Sequence, residues 1–288
     1  MKILIVGASG LVGENIFKYF RDNSKWSVFG TYNTFSVKGL IHFNASDINT
    51  WTSEVVNSQW DAIVHTGALT NVDLCEDDPE SSYERTVVST QNLISLAKSN
   101  NAKFIYISTD YVFDGRKGLY SENDEVSPLN VYGKHKLEAE RLIIEMLPNN
   151  LVLRITNVYG DEQRGKNYIS RILKQLESND IIEVNAPFDQ YATPINALDV
   201  AKAIYLLLRD DKRGVYHLAS TDYMNRVQLL KKISQYTKKR IIINPISTSA
   251  LGQKALRPVK GGFSCLKFLN EYNDFSFTNI DDYLKNRI

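Results

Sequence analysis

Three glycines fix how this chain must begin. Residues 3–6 (Ile-Leu-Ile-Val) form a short, unbroken apolar run with β-branched residues, which suits a strand buried on both faces of a parallel sheet. Gly7, Gly10 and Gly13 follow, and then a helical pattern carried by Ile16, Phe17 and Phe20. Glycines between a strand and a helix let the backbone turn tightly, let a pyrophosphate approach the amides and let the helix pack on the strand. The bland alternative is a Gly-rich turn with no ligand. The strand before the triplet and the helix after it favour a dinucleotide.

The next segments extend that reading. Residues 28–31 are a second strand, ending at Thr31-Tyr32-Asn33. An acid there, about twenty residues past the glycines, would bond the ribose 2′-hydroxyl and favour NAD. No acid is present, so nothing repels a 2′-phosphate; no arginine is present either, and Lys38 is the nearest cation. The reading leans to NADPH and leaves NADH open. Asn44 and Ala45 either border the adenine or form a plain strand-to-helix turn, and Asp47 suits the N-cap of a helix through Trp51 and Val55. Residues 61–65 are a further strand, and Thr66, Gly67 and Ala68 past its end are small enough for a cofactor to lie close to the backbone. His65 reads as a packed strand residue. Residues 71–79 read as a loop and helix start, 87–98 as a helix and 104–107 as a strand.

That strand runs to Ser108 and Thr109. Downstream, Tyr132 and Lys136 stand four residues apart on an expected helix, hence on one face. A nearby ammonium favours the phenolate and would lower the tyrosine pKa. A Thr109/Tyr132/Lys136 trio beside a dinucleotide suits hydride transfer at a carbonyl. Alone, Tyr-x-x-x-Lys is weak evidence in a chain with sixteen tyrosines, where a half-buried tyrosine and a solvated lysine explain it as well. Ser127-Pro128 signals a helix start, running to about Met146 with Pro148 as a stop, and 151–155 is a sixth strand. The alternation predicts an α/β fold: a Rossmann-type doubly wound parallel sheet with helices on both faces, over residues 1–160.

After Gly160 the pattern changes. Helices are expected at 168–176, 197–208 and 225–237, and a strand at 215–218. Lys238-Lys239-Arg240 reads as a solvated helix end. Residues 161–288 thus predict a smaller mixed α/β substrate domain over the crevice, with segments around 190–215 returning to the Rossmann core. The net charge of +1 asks for no nucleic acid. Cys75 and Cys265 build neither a disulfide framework nor a metal site. The first apolar run is too short for a signal peptide, and no run approaches membrane-spanning length. A cytoplasmic protein with no membrane and no metal is expected.

Residue by residue, the chain resembles the extended short-chain dehydrogenase/reductases. The carriers are Gly7-x-x-Gly10-x-x-Gly13, Thr66-Gly-Ala68, Ser108-Thr109 and Tyr132-x-x-x-Lys136. Within that family it is most similar to the dTDP-4-dehydrorhamnose reductase group. The carriers there are Ala68-Leu-Thr-Asn-Val-Asp73, Ser108-Thr-Asp-Tyr-Val-Phe-Asp-Gly115, Ser127-Pro-Leu-Asn-Val-Tyr-Gly-Lys134 and Asp189-Gln-Tyr-Ala-Thr-Pro194.

The resemblance implies NAD(P)H-dependent reduction of the 4-keto group of a nucleotide-linked 6-deoxy sugar, as in dTDP-rhamnose and polysaccharide biosynthesis. It implies that Tyr132 gives the proton, that Lys136 holds the nicotinamide ribose, and that Thr109 bonds the reacting oxygen or tunes Tyr132. Gly10, Leu11 and Val12 would offer backbone to the pyrophosphate. Gly7, Ser9, Gly13, Tyr32, Asn33, Asn44, Ala45, Thr66, Gly67, Ala68, Ser108, Tyr132 and Lys136 complete the implied cofactor set. Thr109, Asp110, Asn157 and Asn167 would meet the nucleotide sugar. A homodimer is implied as an option.

Three departures stand out. Asn157 replaces a tryptophan of the rhamnose-forming members, Thr86 replaces a helix asparagine, and Asn44 replaces an aspartate. Two alternatives remain. One is a sugar-nucleotide epimerase or dehydratase, although a dehydratase would want a glutamate where Tyr111 follows Asp110. The other is a non-catalytic NADP-binding regulatory subunit resembling the methionine adenosyltransferase β-subunit, which carries the same Asp-Tyr-Val-Phe-Asp-Gly block.

Overall fold

The computed structural model describes residues 1–287. The chain opens with β1 (Lys2–Val6), α1 (Leu11–Asn23), β2 (Ser27–Tyr32), β3 (Ile41–His42), α2 (Ser53–Val56) and β4 (Ala62–His65). Two short helices, α3 (Val72–Asp77) and α4 (Pro79–Tyr83), lead through a wider turn at Glu84–Val88 into α5 (Ser89–Asn100). Then come β5 (Lys103–Thr109), α6 (Val131–Met146), β6 (Asn150–Ile155), α7 (Tyr168–Ser178), β7 (Ile181–Pro187) and β8 (Tyr191–Ala192). The remainder is α8 (Ala197–Arg209), β9 (Gly214–His217), β10 (Met224–Asn225), α9 (Arg226–Tyr236), β11 (Arg240–Ile246), α10 (Leu266–Glu271) and α11 (Ile280–Lys285).

Seven strands form one parallel sheet in the order β3-β2-β1-β4-β5-β6-β9. The apolar strands explain it, because each feeds two faces at once. Ile3 and Ile5 join a core with Ile16 and Phe20 of α1 and Val200 and Ile204 of α8. Leu4 and Val6 join the opposite core with Leu93 and Ile94 of α5 and Ala139 and Ile143 of α6. The strand order reverses between β1 and β4. Such a switch point opens a crevice at the carboxyl ends of the strands, and ligands bind there in folds of this kind.

Beyond β6 the chain builds a second layer. β7 and β11 pair in parallel, covered by α7 and α9 around a core of Ile172, Ile182, Leu230 and Ile233. β8 and β10 pair antiparallel. Residues 255–263 then return as a strap across the crevice. Lys260 N donates to Gly115 O at 2.9 Å, and Tyr120 N donates to Gly262 O at 3.0 Å.

Three local expectations are corrected. The helix carrying Tyr132 starts at Val131 rather than at Pro128, because Asn130 is its cap and accepts from Gly133 N at 2.8 Å. Ser127 is spent on the loop, its N–H donating to Val112 O at 2.8 Å. Asp47 caps one short turn, Ile48–Thr50, and α2 is separate. The Trp51 indole breaks the run by donating to Asn44 O at 2.8 Å and packing on Phe43. Arg240, read as the end of a helix, opens β11, since the helix stops at Tyr236.

The start of α6 is pinned by a backbone contact. A Cβ on Gly133 would lie 2.2 Å from Tyr111 O, so the helix approaches the end of β5 as closely as only glycine permits. Gly133→Ala should therefore lower stability by about 1–3 kcal/mol, the scale of an overpacked contact, and reduce function by displacing Tyr132. Denaturant unfolding reads the first effect; an unchanged midpoint would mean that the helix shifts freely.

Candidate active site

The site grows from the end of β5, whose seven residues are all buried. Thr109 closes the strand, and its hydroxyl accepts from Tyr111 N at 3.2 Å, turning the chain into a single helical turn at Asp110–Val112. Tyr111 packs edge-on to Tyr132, ring centroids 5.6 Å apart. Lys136 is buried one turn further along α6. Its ammonium donates to Ile107 O at 2.6 Å and lies 4.0 Å from the centre of the Tyr106 ring. The fold thus brings Thr109, Tyr132 and Lys136 to one strand end.

The electrostatics differ from the simplest expectation. Burial pushes the Tyr132 phenol well above its ordinary value; the Thr109 hydroxyl pulls it partly back, while Asp110 and Tyr111 push it further. Lys136 does not lower it in this geometry, since its ammonium is held at the Ile107 carbonyl. Burial instead lowers Lys136 to about 7, with Glu140 opposing. Glu140 gives little direct help because Arg154 grips both its oxygens. The result is a neutral phenol beside a lysine that sheds its proton readily.

The residues at the switch point fit a dinucleotide. Gly7 has φ +89°, a conformation that favours glycine. A Cβ on Gly13 would lie 2.3 Å from Gly7 O. Gly10 caps α1 with no side-chain bond to its first amides, so those at Leu11, Val12 and Gly13 remain for an anion. Ser9 is buried beside them. Thr66 is used internally, donating to Val6 O at 2.8 Å, and Gly67 and Ala68 follow it along the crevice. His65 Nδ1, Tyr106 Oη and Ser108 Oγ are buried without hydrogen-bond partners. Buried polar atoms are nearly always satisfied, and of these three Ser108 Oγ stands next to the carboxyl end of β5, where the crevice opens. Burial also holds His65 neutral, at about 3.

The segments expected at the adenosine end are joined by polar side chains. Asn33 Nδ2 faces Asn44 Oδ1 at 3.4 Å, Tyr32 packs on His42, and Ala45 O accepts from Asn92 at 3.0 Å. The fold adds a cation there that the sequence hid: Arg164 lies 5.4 Å from the Phe35 ring, in the segment after β2.

The four expected substrate residues are placed differently from one another. Thr109 faces the phenol. Asp110 is buried, accepting from Thr156 Oγ1 at 2.7 Å and Gly262 N at 3.4 Å, which ties the returning strap to β5. Asn167 caps α7 and spends its amide on Gly160 O, Glu162 and Ser170. Asn157 is exposed, with φ +43°, and accepts from Arg226 at 2.8 Å. Tyr111, Gly133, Thr156 and Arg226 were not foreseen. Only Gly133 carried a local signal, as a glycine inside a helix beside the tyrosine.

Known proteins resemble the chain over nearly its whole length. A family model described as the RmlD substrate binding domain matches residues 1–280. A dTDP-4-dehydrorhamnose reductase of Aggregatibacter actinomycetemcomitans is 29% identical over 283 residues, covering 92% of this chain and 90% of that protein. A methionine adenosyltransferase 2 subunit beta of Xenopus tropicalis is 31% identical over 233 residues, covering 79% and 70%. The solved dTDP-4-dehydrorhamnose reductase of Bacillus anthracis, in complex with NADP, superposes with a TM-score of 0.85 at 25% identity, covering 99% of this chain and 97% of that one.

Lys136 makes stability depend on pH. Its folded pKa lies below its unfolded value, so between about 7 and 10.5 the unfolded chain holds the extra proton. The penalty is full at low pH and is relieved as pH rises through that window. In the cofactor-free protein, stability relative to Lys136→Met should rise with pH, with a slope of up to about 1.4 kcal/mol per pH unit. Urea unfolding at several pH values measures it; a flat difference counts against a depressed lysine.

Proposed function

The chain belongs to the RmlD substrate binding domain family of extended short-chain dehydrogenase/reductases, and from that premise we propose that it reduces the 4-keto group of a nucleotide-linked 6-deoxy sugar with NAD(P)H. The observation that carries the reading is the convergence of Thr109, Tyr132 and Lys136 at the end of β5, next to the glycine cradle.

A bound reduced nicotinamide supplies the hydride for the ketone carbon. The chain's own groups do the rest. Tyr132 stays protonated at neutral pH, the state a general acid needs, and gives its proton to the carbonyl oxygen. Thr109 offers its hydroxyl at the same place. Lys136, on the same helix as Tyr132 and anchored at the Ile107 carbonyl, would hold the ribose hydroxyls of the bound cofactor. Gly7 to Gly13 hold the pyrophosphate against the start of α1.

Arg164 supports the phosphorylated cofactor. It stands on Phe35 where a 2′-phosphate would be read, and no acid at Thr31-Tyr32-Asn33 opposes it.

A second reading has its own observation. Relatives named methionine adenosyltransferase 2 subunit beta match as well as the reductases do. On that reading the dinucleotide is a structural ligand and the work is docking on an enzyme partner.

Purified protein with a dTDP-4-keto-6-deoxy sugar should oxidise NADPH, followed by its near-ultraviolet absorbance. Cofactor binding without oxidation of any such sugar, together with a stoichiometric partner in pull-down, would move the conclusion to the regulatory subunit. Tyr132→Phe should cut turnover at least about a hundredfold while leaving cofactor affinity intact. Arg164→Gln should raise the KM for NADPH about tenfold and leave that for NADH unchanged, since only the former loses a charge-assisted bond. Equal effects on both cofactors would remove Arg164 from the 2′-phosphate site.

A further inference from the structure

Asn130 does more than cap the helix that carries Tyr132. The residue is buried, and both ends of its amide are used. Its Oδ1 accepts from Gly133 N at 2.8 Å, and its Nδ2 donates to Leu256 O at 2.7 Å. The partners fix which end is which, since one is an N–H and the other a carbonyl. A cap needs only an oxygen, so serine or aspartate would serve α6 as well. The second end of the amide is spent on a segment 126 residues away. The Leu256 side chain is 67% exposed, so the contact belongs to the backbone of the strap.

That bond closes a triangle. The strap is held on α3, where the Asp73 carboxylate accepts from Ala255 N at 3.0 Å and from both terminal nitrogens of Arg257 at 3.0 and 2.9 Å. Glu76 stands three residues further along α3, and its Oε1 accepts from Val131 N at 2.8 Å. Strap, α3 and the start of α6 thus hold one another pairwise, through Asp73, Glu76 and Asn130. The N–H groups on either side of Tyr132 are both pinned, that of Val131 by Glu76 and that of Gly133 by Asn130. The strap also reaches the end of β5. A Cβ on Gly115 would lie 2.5 Å from Pro258, and Gly262 N donates to Asp110 at 3.4 Å, next to Thr109.

We propose that Asn130 is a positioning residue through which the returning strap sets where the Tyr132 phenol stands. The inference rests on the reductase reading for its kinetic consequence and adds the residue that couples a distant segment to the proton donor. Asn130 acts through Tyr132 and not on the substrate. A reacting group displaced by about 1 Å can lose about a hundredfold in rate. The glycine cradle belongs to β1 and α1, outside this triangle, so cofactor affinity does not depend on Asn130.

The test compares Asn130→Asp and Asn130→Ser, which keep a capping oxygen and lose the donor to Leu256 O, with Arg257→Gln, which frees the strap at α3 instead. With NADPH and a dTDP-4-keto-6-deoxy sugar, both Asn130 variants of the full chain should lower kcat about tenfold or more and leave NADPH affinity unchanged. Arg257→Gln should lower kcat too. The double variant Asn130→Asp/Arg257→Gln should be no slower than the slower single one, because both changes release the same strap. A role confined to capping predicts a kcat within twofold of wild type in Asn130→Asp and Asn130→Ser. That result, or losses that multiply in the double variant, overturns the proposal. A second readout needs no turnover. Arg257→Gln should speed hydrogen exchange in the first turn of α6 about five- to tenfold, the worth of one buried hydrogen bond, and leave β1 at the wild-type rate. Unchanged exchange in α6, or a rise shared by β1, overturns the coupling. A wild-type chain that oxidises no NAD(P)H, with a variant that shows the faster exchange, loses the reductase reading and keeps the link between strap and helix.

Discussion

The site depends on a lysine buried with a carbonyl for company. Lys136 ties α6 to β5 through Ile107 O and the face of the Tyr106 ring, and its nearest carboxylate is already committed to Arg154. A cation so poorly matched is costly in the interior. The structure tolerates it because the glycine contact at Gly133 lets the helix come close enough for the bond to form at all. The same approach sets Tyr132 beside Thr109. A ligand atom reaching Ser108 would satisfy a hydroxyl that the protein alone leaves unmatched.

Much of the fold was legible because its signals are local. A continuous apolar strand, glycines at its end and a helical period need only neighbours in sequence, and they gave the parallel sheet and the switch point. The β7–β11 pair was not legible. Asn185, Pro187, Asn244 and Pro245 interrupt its apolar runs, and its partners lie far apart in the chain. The helix cap was a contest between Ser127 and Asn130, both good caps, decided by a loop hydrogen bond that no local pattern encodes.

The site was legible in its identities and less so in its roles. The spacing of Tyr132 and Lys136 put them on one face, but spacing says nothing of where an ammonium points, and so the direction of the tyrosine's shift was misjudged. Asp110 and Asn167 were picked as ligand contacts on resemblance, yet their polar atoms are largely consumed by the strap and by a helix cap. Arg226 and Asn157 meet across 69 residues, and Arg164 reaches Phe35 from another segment; tertiary folding alone creates such pairs.

The reductase and the regulatory readings share nearly all of this architecture, since either needs the glycine cradle and the buried polar groups around Lys136. They part at the phenol. Reduction needs a phenol held where a carbonyl oxygen can meet it, and the Thr109 hydroxyl and the Tyr111 ring hold Tyr132 at the end of β5, whereas a docking subunit needs only the dinucleotide cradle.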